Sequence, residues 1–590
     1  MANTLLWVLV GVIIYTLVMM SLRARGVLPD SVNVSGPIIT LHTKHGRKFL
    51  DRLSRPRRFW RAWSNIGVGI SLVVMVGFGA VIFASAILLG LRPEQAAQSP
   101  IKNPQNALVI PGVNEFLPLS AAPEIVTGLA LGLIVHEGGH GLLCRVEDID
   151  IESMGLALFA FIPIGAFVEP DEDNRAKASR GAQTRMFAAG VTNNFALTGL
   201  VFLLLFGPVA GSIAVAPGVA VGDTFPGGAA AEAGIGHGDR ITAVNGTSVA
   251  NATELDSELA ALGGTVNVTL GSGEHVTVDR YPVITRVVED QYSNISFDGD
   301  TLPRIESVNG TAVTSERAFR EAITDREVAT IETDRGTQTV PVGAFVARAQ
   351  SGEALVGAGA PEDTSMVVTS IDGQRVVNAS ALGPVLEEYD PGDEVTVVAY
   401  VDGERETYTA ELGERDGEAY LGVEQRAGYS GMVVDDFGID AYPAEQFLTF
   451  LSGGGGGLDG IFVAISAILF MPFLAAFSPE LSYNFAGFVG EIANFYTVTG
   501  PLGFLGSGVV FLLANVLFWT GWINFNLGVF NCVPAFPLDG GHILRTSTEA
   551  VVSRLPVSDR QSLASTITMG ITVTMLIALL ATILGPALLS

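Results

Sequence analysis

His136-Glu137-Gly138-Gly139-His140 closes an apolar stretch that begins at Pro123 and runs on to Cys144. On a helix the two histidines sit four apart, so both imidazoles leave one face about one turn apart. That spacing suits two ligands of a single Zn²⁺, with the intervening glutamate placed to take a proton from a water the metal activates. The stretch is long enough to cross much of a bilayer, where ionisable groups are expensive to bury and mark function. A catalytic zinc usually has three protein ligands, so the pair is incomplete. A second apolar span, Phe504 to Phe525, runs into Asn531-Cys-Val-Pro534-Ala-Phe-Pro537-Leu538-Asp539-Gly540-Gly541-His542. Pro534 and Pro537 remove helical hydrogen bonds and free backbone groups, which is tolerable in a membrane only where the chain lines protein or a wet cavity. Asp539 is therefore a candidate third ligand. Its competing role is a cap on the helix that starts near Gly541. A lone His-Glu-x-x-His also arises by chance; the membrane setting and the matching depth of the two segments weigh against that.

The elements that must position these groups follow from hydropathy and charge. Leu5 to Leu22 reads as a first span. Arg23 to Arg61 is the most basic stretch of the chain, which the positive-inside rule places in the cytoplasm. Ile66 to Leu91 then crosses outward, the loop 93–122 stays outside, and the motif helix returns inward. Gly155 to Val168 is apolar but short and interrupted by Pro163 and Gly165, which predicts a re-entrant hairpin. Met186 to Val209 crosses outward, and Thr566 to Leu589 is the last span. The fold class expected is a polytopic α-helical membrane protein of about 6–8 spans with an extracytoplasmic, mainly-β insert. Its expected parts are residues 1–92, an N-terminal transmembrane pair; 123–214, the first half of a catalytic core; 215–440, the insert; 441–503, an apolar hairpin or re-entrant linker; 504–545, the second half of the core; and 546–590, a C-terminal span.

The chain has 590 residues, 48% of them hydrophobic, and a formal net charge of −27. Residues 215–440 hold 39 Asp and Glu against 13 Arg and no Lys, so −26 of that charge lies in the insert. So acidic and lysine-poor a surface resembles those of extreme halophiles, and it excludes nucleic acid as a partner, because phosphate backbones need basic patches. Two cysteines, Cys144 and Cys532, supply no disulfide framework and read as small buried hydrophobes. The insert repeats Ile241-Thr-Ala-Val244-Asn245-Gly246 as Ile305-Glu-Ser-Val308-Asn309-Gly310 and Val368-Thr-Ser-Ile371-Asp372-Gly373. Each copy reads as a strand, a tight turn and a second strand. In the first copy Gly234-Ile235 and Gly238-Asp239-Arg240 precede it, and together they resemble PDZ domains, which add a peptide strand to a sheet edge. Asn-x-Ser/Thr sequons at Asn245, Asn251, Asn267, Asn294, Asn309 and Asn378 suit an extracytoplasmic face.

His-Glu-x-x-His, then Asn531-x-x-Pro534-x-x-Pro537-Leu538-Asp539-Gly540, with a PDZ-like insert between them, resembles the site-2 protease family of intramembrane zinc metalloproteases. The resemblance covers most of the chain. It implies His136, His140 and Asp539 as ligands of one Zn²⁺ and Glu137 as general base. The family's Ala-Gly-x-x-x-Asn-Phe pattern falls on Ala189-Gly190-Val191-Thr192-Asn193-Asn194-Phe195, making Asn194 a candidate for stabilising the oxyanion, with Val191 where the family usually has proline. A helical substrate hides its carbonyls, so the broken segment holding Asn531, Pro534 and Pro537 and the 155–168 hairpin are candidates to hold it as a strand.

The activity expected is hydrolysis of peptide bonds within or near transmembrane segments of membrane-bound regulatory proteins, by a multi-pass enzyme of the cell membrane. Its partners would be the lipid bilayer, transmembrane substrates and a peptide ligand of the insert. The alternative is a membrane-anchored PDZ scaffold with a structural or inactive metal site. A metal-ion transporter would string ligands through the membrane, whereas here they form one cluster.

Overall fold

A computed structural model describes residues 2–29, 31–91, 110–113, 117–159, 162–288, 301–362, 364–454, 457–474 and 483–589. The chain forms two compact units, Met1–Ala214 with Glu445–Ser590, and Val215–Ala444. Most of the expected 93–122 loop, the sequon at Asn294 and residues 475–482 of the apolar linker lie outside the described residues.

The first unit opens with helix α1 (Ala2–Ala24), strands β1 (Val32–Ser35) and β2 (Ile38–His42), helix α2 (Lys44–Leu53) and the long helix α3 (Arg57–Leu91). Helix α4 (Ala122–Val146) carries the two histidines, and Pro123 sits in its first turn, where a missing N–H costs nothing. Strands β3 (Ile151–Phe159) and β4 (Ile162–Pro170) form the expected hairpin. β2 pairs along β3, so the hairpin is half of a four-stranded sheet ordered β1-β2-β3-β4. The basic stretch 23–61 thus contributes two strands that its charge concealed. Helix α5 (Arg180–Leu204) starts at Ser179, whose hydroxyl accepts the N–H of Ala182 and satisfies one orphan donor of the first turn.

The second unit holds three copies of one fold, each with its own apolar core. The repeated motif forms paired strands in every copy: Arg240–Val244 with Thr247–Ser248, Ile305–Val308 with Thr311–Ala312, and Met366–Ile371 with Gln374–Arg375. At the turns Asn245, Asn309 and Asp372 have φ of 48°, 50° and 46°, and the following glycines 86°, 73° and 80°. Two left-handed residues in succession are what a type I′ hairpin turn needs. The turn side chain also reaches across to the next strand, Asn245 Oδ1 accepting from Asn267 N–H, Asn309 from Thr330, and Asp372 from Thr396. Helices α6 (Ala252–Ala261), α7 (Glu316–Ile323) and α8 (Ala379–Leu386) follow, capped by Asn251, Ser315 and Asn378. Turns and caps thus account for four of the sequon asparagines.

These copies are nested, a topology that a tandem repeat does not announce. The first strand of the outermost copy, β5 (Val219–Thr224), pairs with a strand from the far end of the unit. On the way back the chain lays β6 (Val423–Arg426) against Ala344–Ala349 of the innermost copy. It then lays β7 (Met432–Asp435) against Val283–Val287 of the middle one, and β8 (Ile439–Ala441) against β5. Each copy is closed by a strand delivered in reverse order.

The first unit then resumes with Ala444–Leu451, a helix at Gly457–Phe470, and helices α9 (Ser507–Asn531), α10 (Asp539–Val552) and α11 (Arg560–Leu589). Among the described residues, five helical segments are long and apolar enough to cross a membrane: Arg57–Leu91, Leu119–Val146, Arg180–Ser212, Ser507–Asn531 and Arg560–Leu588. α4, α5 and α9 pack on one another through glycines. A Cβ on Gly128 would lie 3.0 Å from Thr520 N, one on Gly139 2.7 Å from Ala189 O, and one on Gly521 2.3 Å from the Phe202 ring. Without a hydrophobic drive between helices in lipid, such close backbone approach supplies the packing energy.

Candidate metal centre

His136 and His140 project from α4 onto Asp539, the first residue of α10. His136 Nε2 is 3.2 Å from Asp539 Oδ2, His140 Nε2 is 3.3 Å from it, and the two Nε2 atoms are 3.3 Å apart. All three residues are buried. A zinc ion in tetrahedral coordination at roughly 2.0–2.1 Å holds its ligand atoms about 3.3 Å from one another. The triangle therefore has the size of one face of such a tetrahedron, and the donor set, two imidazoles and a carboxylate, is one that zinc takes.

The surroundings orient these donors. His140 Nδ1–H donates to the carbonyl of Met186 at 2.8 Å, which fixes the tautomer and turns the Nε2 lone pair inward. Gly190 of α5 lies against both rings: a Cβ there would be 2.6 Å from His140 Nε2 and 2.8 Å from His136 Cε1. Asp539 reaches the centre because α10 starts immediately above the proline-containing loop. A Cβ on Gly540 would be 2.4 Å from the carbonyl oxygens of Cys532 and Val533, and one on Gly541 2.7 Å from the backbone of Ala535. Only bare backbone permits that approach.

Glu137, next to His136 on α4, lines a cavity of about 830 Å³, and its Oε2 accepts the backbone N–H of Val168 at 3.1 Å. Val168 lies on β4, the end strand of the sheet. The cavity is mostly apolar and aromatic, with Phe49, Trp60, Trp63, Phe167 and Leu197 among its walls; His42 and Thr43 also line it, and Asn193 accepts a hydrogen bond from Trp63 Nε1.

Asn194 is fully buried, and neither atom of its side-chain amide has a hydrogen-bond partner among the described residues. It follows Gly190 by one helical turn on the same face of α5, the face that meets the imidazoles. A buried unpaired amide costs roughly 1–3 kcal/mol, so its position calls for a partner. Asn531, Pro534 and Pro537 are not brought to the cavity wall; Asn531 Nδ2 donates to Leu527 O within α9. His542 is outside the triangle, its ring stacked on Phe187 with centroids 4.2 Å apart. Gly190, the Met186 carbonyl, Trp63, Asn193 and strands β1 and β2 escaped the sequence reading. Of these only Gly190 carried a signal, its place in the Ala-Gly-x-x-x-Asn-Phe pattern.

One end of the three-helix core is tied by charge. Glu147, just past α4, accepts from Arg61 of α3 at 3.0 Å and Arg185 of α5 at 2.9 Å. Burial alone would raise its pKa, but the two guanidinium groups outweigh that and hold it below its ordinary value. Cys144 and Cys532 are both buried and free.

The sequence profile of peptidase family M50 matches residues 124–576. Over 187 residues, 30% of this chain and 45% of the relative, the chain is 27% identical to the uncharacterized protein MJ0971 of Methanocaldococcus jannaschii. Over 192 residues, 31% of this chain and 39% of the relative, it is 27% identical to the zinc metalloprotease RasP of Oceanobacillus iheyensis. The chain spans less than half the length of these curated relatives.

Proposed function

The chain belongs to peptidase family M50, the site-2 protease family, and from that membership we propose that it is an intramembrane zinc endopeptidase. Its substrates are transmembrane segments of membrane-bound regulatory proteins. The observation that carries this reading is the buried triangle of His136, His140 and Asp539, sized for one zinc ion, with both histidines on a helix fit to cross a membrane.

His136 Nε2, His140 Nε2 and Asp539 Oδ2 would hold the ion. Zinc, when bound, supplies a Lewis acid that polarises the scissile carbonyl and makes water a competent nucleophile near pH 7. Glu137, next along α4 from His136, takes the proton from the water as its oxygen adds to the carbonyl carbon. It then passes that proton to the amine nitrogen, so the C–N bond breaks as the tetrahedral adduct collapses to a carboxylic acid and an amine. The Val168 N–H holds one Glu137 oxygen and leaves the other to carry the proton. Asn194 offers its unpaired amide N–H to the carbonyl oxygen as charge builds there. The apolar cavity beside Glu137 takes side chains of an unwound substrate, and the neighbouring end strand β4 offers its edge to the substrate backbone. Asn531 and the two prolines shape the loop that sets Asp539. The basic residues of 23–61 support a cytoplasmic catalytic side with the acidic insert outside. There the insert, through PDZ-like copies, selects substrates.

Purified protein should contain close to one zinc per chain, lost alike in His136→Ala and Asp539→Ala. Glu137→Gln should keep the zinc and lose at least about 10²-fold in cleavage of a model transmembrane substrate. Cleavage by Glu137→Gln at the unaltered rate would overturn the mechanism, and zinc retained in Asp539→Ala would remove that residue from the ligand set.

A further inference from the structure

A groove of about 570 Å³ lies in the second unit between helix α6 and strand β8 of the outermost copy, and the first turn of α7 from the middle copy borders it. Leu255 and Leu259 of α6 face Phe437, Ile439 and Ala441 across it. The sheet of this copy ends on β8. A groove between a helix and an end strand takes an extended peptide, and a turn of backbone N–H groups at its closed end would capture a terminal carboxylate. Here the closed end is the turn Asp436-Phe437-Gly438 leading into Ile439. It parallels Tyr429-Ser430-Gly431-Met432 before β7 and Tyr420-Leu421-Gly422-Val423 before β6. The glycines Gly422, Gly431 and Gly438 have φ of 77°, 84° and 88°.

In the outermost copy that capture site is filled by the chain itself. Phe437 N–H and Gly438 N–H both donate to Asp435 Oδ1. Asp436 is spent as well: it forms a buried bidentate pair with Arg280 and accepts the Glu316 N–H at the start of α7. Arg320 is paired with Glu316, and Arg317 with Glu321. The cations around the groove are therefore neutralised, while Asp435 is held by N–H groups alone and Asp256 has no partner among the described residues. Burial, only partly offset by those N–H groups, pushes the Asp435 carboxyl up to about 6, and burial also raises Asp256, as befits carboxylates lacking a cation. A ligand carboxylate would add a further negative charge beside Asp435, Asp436 and Glu316, at a turn whose Phe437 and Gly438 N–H groups are already taken.

We propose that this groove binds an extended internal stretch of polypeptide through a basic side chain set between Asp256 and Asp435, and that it does not read a free carboxyl terminus. The site lies wholly within the second unit, so it stands apart from the peptidase reading.

The test uses the full chain in detergent micelles and short fluorescein-labelled peptides of Val and Ser around one central Arg, followed by fluorescence polarisation. Free-carboxyl and amidated forms should bind within about twofold of each other, and a Glu in place of the Arg should weaken binding by about tenfold or more. Asp256→Asn should remove most of that preference. Asp435→Ala should release two N–H donors and make the free-carboxyl form the tighter one. Ala441→Trp, which fills the groove without touching the acidic turn, should abolish binding of the Arg peptide, with amide protection over 219–279 as the control for folding of the insert. Tenfold tighter binding of the free-carboxyl form by the unaltered protein, equal binding of the Arg and Glu peptides, no binding of any peptide, or an unaffected Ala441→Trp variant would each overturn the proposal.

Discussion

A Cβ at Gly190 would stand 2.6 Å from His140 Nε2, whereas one at Gly138 would meet nothing within 4 Å. Two glycines beside one site thus make opposite predictions. Gly190→Ala forces the imidazoles apart at a cost of about 1–3 kcal/mol and should weaken zinc binding at least about tenfold. Gly138→Ala should bind zinc normally and gain helix propensity. Zinc titration against a chromogenic chelator separates the two; a Gly190→Ala protein with unchanged affinity would mean that α5 does not set the imidazole positions. The same scale explains Asp539. Its carboxylate reaches the triangle only because Gly540 and Gly541 carry no side chain to strike the carbonyls of 532–535. In the sequence the glycines beside His136 and beside Asp539 look alike, and only distances tell a required one from a permissive one.

At the scale of elements, the core is held where α3, α4 and α5 meet at Glu147 and its two arginines. Because the folded state holds the Glu147 pKa below its unfolded value, the stability it contributes is complete above the ordinary carboxylate pKa and is lost as pH falls through the folded value. The exposed Arg61 end is screened by solvent, so Glu147→Gln should cost roughly 1 kcal/mol near neutral pH and flatten the acid limb of the stability curve. Thermal unfolding followed from pH 7 down to about 3 should show the two proteins converging at the acid end; parallel curves would assign the acid sensitivity elsewhere. The hairpin at 155–168 was legible from its length and its proline, because a short apolar run cannot span a membrane. Its partner strands at 32–42 were not, because pairing between segments more than a hundred residues apart leaves no local periodicity to read.

For the whole molecule, nesting has a consequence that a string of beads lacks. The innermost copy begins and ends on paired strands, with Phe345 opposite Arg426. Its removal with a short Gly-Ser bridge should leave the other two copies intact, with amide protection retained over 219–279. Removing residues 437–441 should instead strip β8 from the outermost copy and expose β5. Hydrogen exchange on both deletions checks this; equal loss of protection would rule out the nested order. Charge acts at the same scale. With −26 of a net −27 in residues 215–440, self-repulsion opposes compaction, and salt shortens its reach from about 10 Å at 0.1 M to about 3 Å at 1 M. The unfolding midpoint of the second unit should therefore rise with KCl, and a midpoint independent of salt would show that the acidic surface carries no such strain.

The sequence by itself determined the chemistry on offer. Ligand types, their spacing on a helix, the turn residues of each repeat and the segregation of charge are all local properties, written in residues that lie near one another in the chain. Tertiary structure alone decided the rest. It joined Asp539 to His136 and His140 across four hundred residues, and it seated Gly190 against the imidazoles. It turned Glu137 toward an aromatic cavity and closed each repeat with a strand from the far side of the insert. Those are contacts between distant segments, selected by packing and by the need to satisfy buried backbone and polar groups, and a pattern confined to neighbours in sequence does not contain them.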